Sequence, residues 1–326
     1  MTEETLIRVT NLTKYFPVKK GLFKPRRQFL KAVDDISFEI SKGDNLALVG
    51  ESGCGKTTTA RLILRLLGPT AGSVYFAGKN LFNLTEEEMR LMRPQMQLVC
   101  QDPYASLNPR KTITQILSKP FQLHTDIPKE EIEDKVLHLL EMVGLAPPEL
   151  FVDRHPHEFS GGQRQRICVA RAIALNPSFV VADEPVSALD VSVRAQILNL
   201  LKDLQARLSA TYLFITHDLA VVRSVSNRVA VMYLGKLVEV GEVSTLFKAP
   251  LHPYTEALLS ATPIPNPERS RSRERTILYG DVPSPIDPPP GCRFHTRCPL
   301  TAENCRLTEP QLTESKGRLV ACHLQT

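Results

Sequence analysis

Short apolar runs alternate with helical stripes along this chain, and the alternation sets its class. Residues 6–9, 30–33 and 36–40 are apolar or alternating runs of the kind that half-buried strands require, with a basic loop at 19–27 between the first two. Residues 45–49 form a further apolar run that leads straight into a glycine-rich turn and then a helical pattern over 56–67. Ile132, Val136, Leu139, Leu140 and Val143 share one helical stripe, and the prolines and glycines around it bound a mostly helical stretch up to residue 159. Beyond it, apolar runs at 179–182 and 211–215 flank an amphipathic helix on which Val193, Ile197, Leu200, Leu201, Leu204 and Leu208 recur at helical spacing. Strands alternating with helices after a β-rich start predict an α/β fold with a largely parallel sheet.

The pattern changes near residue 262. Prolines at 263, 265, 267, 283, 285, 288, 289 and 290, with the polar stretch 269–275, disfavour regular elements. One large domain over 1–260 followed by a small appendage over 261–326 is the expected organisation, and 326 residues with 42% apolar content are enough to bury its core. The net charge of +5 comes from 40 basic side chains interspersed among 35 acidic ones, so charge selects no partner and gives no reason to expect nucleic acid. The start Met1-Thr2-Glu3-Glu4 is acidic where a secretory signal is basic, and no apolar run approaches the roughly 20 residues that span a bilayer. A cytosolic chain is expected, with any membrane association borrowed from a partner. Seven cysteines in a reducing compartment then read as thiols, metal ligands or catalysts.

Candidate chemistry begins at Gly50-Glu51-Ser52-Gly53-Cys54-Gly55-Lys56-Thr57, which fits G-x-x-x-x-G-K-[ST] and lies between a predicted strand and a predicted helix. Backbone N–H groups of such a loop wrap phosphates, and the helix that opens at Lys56, Thr57 and Thr58 adds the positive end of its dipole. Lys56 is expected to reach the β- and γ-phosphates of ATP, Thr57 to ligate magnesium, and Cys54 to fill space. The apolar run at 179–182 ends in Asp183 and Glu184, of which the first is positioned to hold magnesium and the second to polarise an attacking water. His217 follows the run at 211–215, at the sheet edge where ligands of open α/β folds collect. Ser160, Gly161, Gly162 and Gln163 open a helical pattern, as a plain helix cap or as a second anion site. Cys292, Cys298, Cys305 and Cys322 follow C-x5-C-x6-C-x16-C, a thiolate set that suits zinc or an iron–sulfur cluster and leaves the metal open. His295 and His323 lie beside them and could replace a ligand of zinc. A proline-rich segment with four cysteines needs a staple to order it.

Phe159-Ser160-Gly161-Gly162-Gln163 resembles the signature sequence of ATP-binding cassette proteins. The phosphate loop, Gln101, the signature, Asp183-Glu184, Ser187-Ala188-Leu189-Asp190 and His217 occur in that family's order over roughly residues 6–260. The resemblance implies a P-loop (RecA-like) core with an N-terminal antiparallel β subdomain and an inserted α-helical subdomain at about 102–165, followed by a small Cys-rich extension. It also implies that two nucleotide-binding domains pair head to tail, so that the signature of one caps the γ-phosphate held by the other. By the same resemblance Gln101 senses magnesium and the transmembrane subunit, His217 contacts the γ-phosphate, and Asp190 lies in a loop that crosses the dimer interface. Phe16 is the better candidate for the aromatic that stacks on adenine, with Tyr15 second.

Within the family, residues 104–110, 252–255 and 283–292 are similar to the ATPase subunits of dipeptide and oligopeptide importers, especially the second ATPase of the pair. That finer resemblance implies a peripheral ATP hydrolase on the cytoplasmic face of the cell membrane, paired with a second, related ATPase. Two transmembrane permease subunits and an external substrate-binding protein would complete the machine. It further implies a 4Fe-4S cluster on the four late cysteines, with Zn²⁺ as the alternative. A nickel or other small-solute importer is the rival cargo reading, and a soluble cassette ATPase of translation or DNA repair is the rival class.

Overall fold

The computed structural model describes residues 4–20, 26–262 and 278–325. The middle of the basic loop and the polar stretch 269–275 lie outside the described residues. The chain divides into two units, residues 1–82 with 215–326 and residues 83–214.

The first unit opens with strands Thr5–Lys20 and Arg26–Ser41, each of 16 residues, paired antiparallel. These are longer than the separate short runs that the sequence predicts. Register shifts between Val9 and Leu12 and between Leu12 and Lys14 break the alternation of side chains while the pairing continues. At the irregularity Asn11 and Asp35 take left-handed backbones, and the Asn11 amide donates to the Asp35 carboxylate at 2.8 Å. Ala71–Phe76 and Lys79–Asn80 complete a four-stranded antiparallel sheet whose buried positions include Ile7, Val9, Leu12, Val33, Ile36 and Val74.

In the same unit Asn45–Val49 runs parallel to Arg228–Tyr233, which forms an antiparallel pair with Lys236–Glu242. The helix after the phosphate loop spans Lys56–Ile63, shorter than predicted. It stops because the N–H groups of Leu66 and Leu67 both turn back to the Arg61 carbonyl, with Arg65 left-handed between them and the helix. The tail, expected to lack regular elements, carries the short helix Glu303–Leu307 and the strands Thr313–Ser315 and Arg318–Val320. Lys316 and Gly317 both have positive φ, the geometry of the tightest hairpin turn, and the second strand of the ribbon adds to the edge of Lys236–Glu242. Val320 is fully buried there with Leu251 and Cys322, which is what holds so short a ribbon.

The second unit has Met96–Val99 parallel to Phe179–Asp183, with Thr211–Thr216 next in the sheet where the chain leaves the unit. Its helices are Glu86–Met92, Pro103–Ser106, Ile113–His124, Lys129–Met142, Gly161–Ile173 and Val191–Leu208. The predicted stripe of Ile132, Val136, Leu139, Leu140 and Val143 is buried throughout, and so are Ile197, Leu200, Leu201 and Leu204 of the later helix. Val193 and Leu208 are only half-buried at its ends.

Candidate nucleotide site and the cysteine-bearing tail

Strand Asn45–Val49 delivers the chain into the loop 50–55, and Gly55 serves as the N-cap of the helix that follows. Gly55 has φ of 114°, and a Cβ there would drive into the Ala32 carbonyl, so only glycine fits. Lys56 is buried, and its ammonium donates to the carbonyls of Gly50 at 2.8 Å and Glu51 at 3.0 Å. Its Nζ lies 3.9 Å from Cys54 Sγ. Burial pushes the Cys54 thiol up despite that cation, which keeps it neutral and space-filling. Ser52 and Gly53 are exposed at the crest, and Thr57 and Thr58 are half-buried on the first helical turn. His217 is exposed just beyond the end of Thr211–Thr216.

Tyr15 and Phe16 are both half-buried in this unit. The Tyr15 hydroxyl donates to Asp34 Oδ1 at 2.5 Å, and Arg293 of the tail donates to Asp34 Oδ2. Burial alone would raise the Asp34 carboxyl, but the Tyr15 hydrogen bond and the Arg293 charge prevail and hold it below the usual carboxylate range. Burial and Asp34 together push the Tyr15 phenol well above its ordinary value. Phe16 has the Lys14 ammonium 5.1 Å above its ring.

In the second unit, Phe179–Asp183 is buried along its whole length and brings the Asp183 carboxylate to the strand end. Glu184 follows with φ of 45°, a left-handed backbone that a non-glycine residue adopts at a cost and that recurs at functional sites. The Gln101 side-chain amide donates to Glu184 Oε2 at 3.0 Å, so two residues distant in sequence meet at one carboxylate. Ser160 caps the helix Gly161–Ile173: its hydroxyl accepts from Gln163 N at 3.3 Å, and the Gln163 side chain accepts from Ser160 N at 3.0 Å. A Cβ on Gly162 would meet Val193, so that turn packs closely on the neighbouring helix. Asp190 stands at the N-cap of Val191–Leu208, and its carbonyl accepts from Arg194 N at 2.8 Å. The Thr57 hydroxyl, the Gln101 amide oxygen and the Asp183 carboxylate are hard oxygen donors of the kind that magnesium selects.

Residues without a sequence-level role stand against the phosphate loop. Arg297 forms a two-pronged ion pair with the Glu51 carboxylate, at 2.9 Å and 3.2 Å, and only 9% of its side chain is exposed. The Tyr254 hydroxyl accepts from Glu51 N at 2.9 Å. Tyr254, Tyr233 and Phe294 pack their rings within 4.7–5.4 Å of one another. The one sequence signal was two arginines around a phenylalanine, Arg293, Phe294 and Arg297, between the first two late cysteines.

Burial pushes Cys292 up to about 11, and the charges of Cys305, Cys322 and Cys298 add to the effect. Cys298 and Cys322 are raised as well, again chiefly by burial. Their sulfur chemistry fits a cluster or zinc, yet no three His, Cys, Asp or Glu side chains among the described residues are grouped closely enough to hold a metal ion. His295 Nδ1 is hydrogen-bonded to the Cys292 carbonyl and His323 Nε2 to the Thr308 carbonyl, each at 2.8 Å. Both imidazoles thus have one nitrogen committed to backbone.

A family model described as ABC transporter matches residues 33–187. The oligopeptide transport ATP-binding protein AppF of Bacillus subtilis (strain 168) is 51% identical over 324 residues, which cover 99% of this chain and 98% of that one. This chain belongs to the ABC transporter ATPases. The same ABC ATPase matches a second family model, the oligopeptide/dipeptide transporter C-terminal region, over residues 238–305. It is 49% identical to the dipeptide transport ATP-binding protein DppF of Escherichia coli (strain K12) over 98% of this chain and 94% of that one. Among solved structures, the dimeric structure of a post-hydrolysis state of the ATP-binding cassette MJ0796 bound to ADP and Pi aligns at a TM-score of 0.65 and 29% identity. That alignment covers 73% of this ABC ATPase and 99% of the neighbour. No helix among the described residues is long and apolar enough to cross a membrane.

Proposed function

We propose that this ABC ATPase energises the import of dipeptides or oligopeptides, binding and hydrolysing ATP as a peripheral subunit on the cytoplasmic face of the cell membrane. The observation that carries the reading is the match of residues 238–305 to the oligopeptide/dipeptide transporter C-terminal region, together with near-full-length identity to peptide-transport ATPases. The nucleotide-binding domain would run to about residue 260, with a helical subdomain near 102–165, and residues 261–326 would form the extension.

The site residues take the following roles in this reading. The loop Gly50, Ser52, Gly53, Cys54 and Gly55 cradles phosphates at the opening of a helix, where backbone N–H groups and the helix dipole favour anions. Lys56 exchanges the loop carbonyls it now contacts for the β- and γ-phosphates, with Thr57 and Thr58 beside it. Thr57, Gln101 and Asp183 are the residues that would hold magnesium, which would supply charge neutralisation to the phosphates. Glu184 accepts the proton of the attacking water, oriented by Gln101, and His217 contacts the γ-phosphate. Phe16 is the better candidate to stack on adenine, with Tyr15, whose hydroxyl is held by Asp34, second.

A neighbouring cassette with a dimeric structure supports pairing, so Ser160, Gly161, Gly162 and Gln163 would close over the nucleotide of a second ATPase subunit. That this subunit is a related chain rather than a copy rests only on the resemblance to the second ATPase of a pair. Two permease subunits in the membrane and, indirectly, an external binding protein complete the partners. Glu184→Gln should keep ATP bound while turnover falls by about 10²–10⁴-fold. Wild-type turnover by that variant in an intact complex would remove Glu184 from its role. For the tail, a 4Fe-4S cluster on Cys292, Cys298, Cys305 and Cys322 is supported by the sulfur donor set alone. Anaerobic purification with iron and zinc quantification tests it: a colourless zinc protein, or one without metal, would refute the cluster.

A further inference from the structure

The tail reaches the phosphate loop, and the strand paired with the one that carries Tyr15 and Phe16, at three points. The Pro285 carbonyl accepts from Lys31 N at 2.9 Å, and Lys31 is the strand partner of Tyr15. Arg293 grips Asp34, which in turn holds the Tyr15 hydroxyl beside Phe16. Four residues on, Arg297 grips Glu51 inside the phosphate loop. Between the two arginines Phe294, 1% exposed, is sunk among Tyr233 and Tyr254, and Tyr254 bonds the Glu51 amide. One short tail segment therefore fastens the loop that carries Lys56 and, through Asp34 on the neighbouring strand, the strand that carries the aromatic candidates.

We propose that Arg293 and Arg297 are positioning residues for ATP, and that the cysteine-bearing tail sets nucleotide affinity by fixing the adenine-side strand and the phosphate loop relative to each other. The inference rests on the nucleotide-site assignment made above. The physical argument is preorganisation: a loop held in its binding geometry before ATP arrives does not lose the entropy of ordering on binding. The Arg297–Glu51 pair suits that task because a planar fork on a carboxylate fixes direction as well as distance, and a point charge on a flexible stem fixes less. Linkage then runs both ways, so ATP must steady the tail by the factor by which the tail steadies ATP.

The test is calorimetric titration of the full chain with Mg·ATP. Arg297→Ala and Glu51→Gln should each weaken binding about tenfold, an ordinary size for a coupling between sites, and the double variant should be no weaker than either single one. Arg297→Lys should recover part of the loss, and Glu309→Gln, which breaks the tail's partly exposed pair with Lys236, should leave affinity unchanged. Additive losses in the double variant, or a folded Arg297→Ala protein with wild-type affinity, would overturn the proposal. Lys56→Ala is the parallel arm: if it binds ATP as tightly as wild type, the nucleotide-site assignment fails and not the clamp alone. Should Arg297→Ala not fold, hydrogen exchange of the wild-type chain decides. Amides at 292–298 should slow about tenfold when Mg·ATP saturates the protein. Unchanged exchange there would contradict the clamp.

Discussion

The phosphate loop and the tail belong to one unit, and they are built on opposite principles. The loop takes its shape from consecutive backbone: Gly55 admits the turn, Lys56 closes on the Gly50 and Glu51 carbonyls, and the helix follows at once. The tail takes its shape from long side chains that cross to acids elsewhere, Arg293 to Asp34, Arg297 to Glu51 and Arg318 to Glu239. A loop of the first kind is written in adjacent residues. An anchorage of the second kind is written in residues far apart, 246 positions in the case of Arg297 and Glu51.

The contrast is broken most forcefully at Arg318. It and Glu239 are the most buried of the three pairs, at 3% and 0% exposure, and Glu239 also accepts the N–H groups of Leu251 and His252. Arg318→Ala leaves that carboxylate buried without its cation, so it should destabilise the unit by about 3–5 kcal/mol in urea unfolding. An effect below about 1 kcal/mol, the range of surface pairs, would mean that the arginines do not hold the tail.

A smaller effect sharpens the comparison at His252, which accepts from Tyr254 N and is held down to about 3 by burial. In the unfolded chain its value returns to about 6.5, so between these limits the unfolded state binds the extra proton. Stability is fully present above about pH 6.5 and should fall by about 1.4 kcal/mol per pH unit as pH drops toward 3. Unfolding midpoints measured at pH 7.5 and 5.5 check this, and His252→Asn, which keeps an acceptor at the helix cap, should flatten the difference. Smallest is the Lys236–Glu309 pair, half-buried at the lysine and exposed at the glutamate: Glu309→Gln should shift stability by less than about 1 kcal/mol.

Legibility followed the same division. The strand, turn and helix around Lys56, the buried stripe from Ile132 to Val143 and the strand that ends at Asp183 could be read because local periodicity and local turns specify them. The first two strands were read as fragments because bulges near Asn11 and Leu12 disturb the alternation that marks a strand. The tail was read through its cysteines, as a segment that needs a metal to order it. Its arginines passed as scattered surface charge, since nothing near them in sequence reveals their acidic partners. Glu184 was identified by position, but its left-handed backbone and its contact with Gln101 depend on folding and had no sequence signal.

Peptide import requires that ATP turnover be coupled to peptide. With the chain assembled with its partner ATPase and permease subunits in lipid vesicles, ATP hydrolysis should rise when a dipeptide-loaded binding protein is added. In the Lys56→Ala assembly it should stay at background. Hydrolysis that ignores peptide and rises with a nickel-loaded binding protein would contradict the peptide assignment while leaving the ATPase in place.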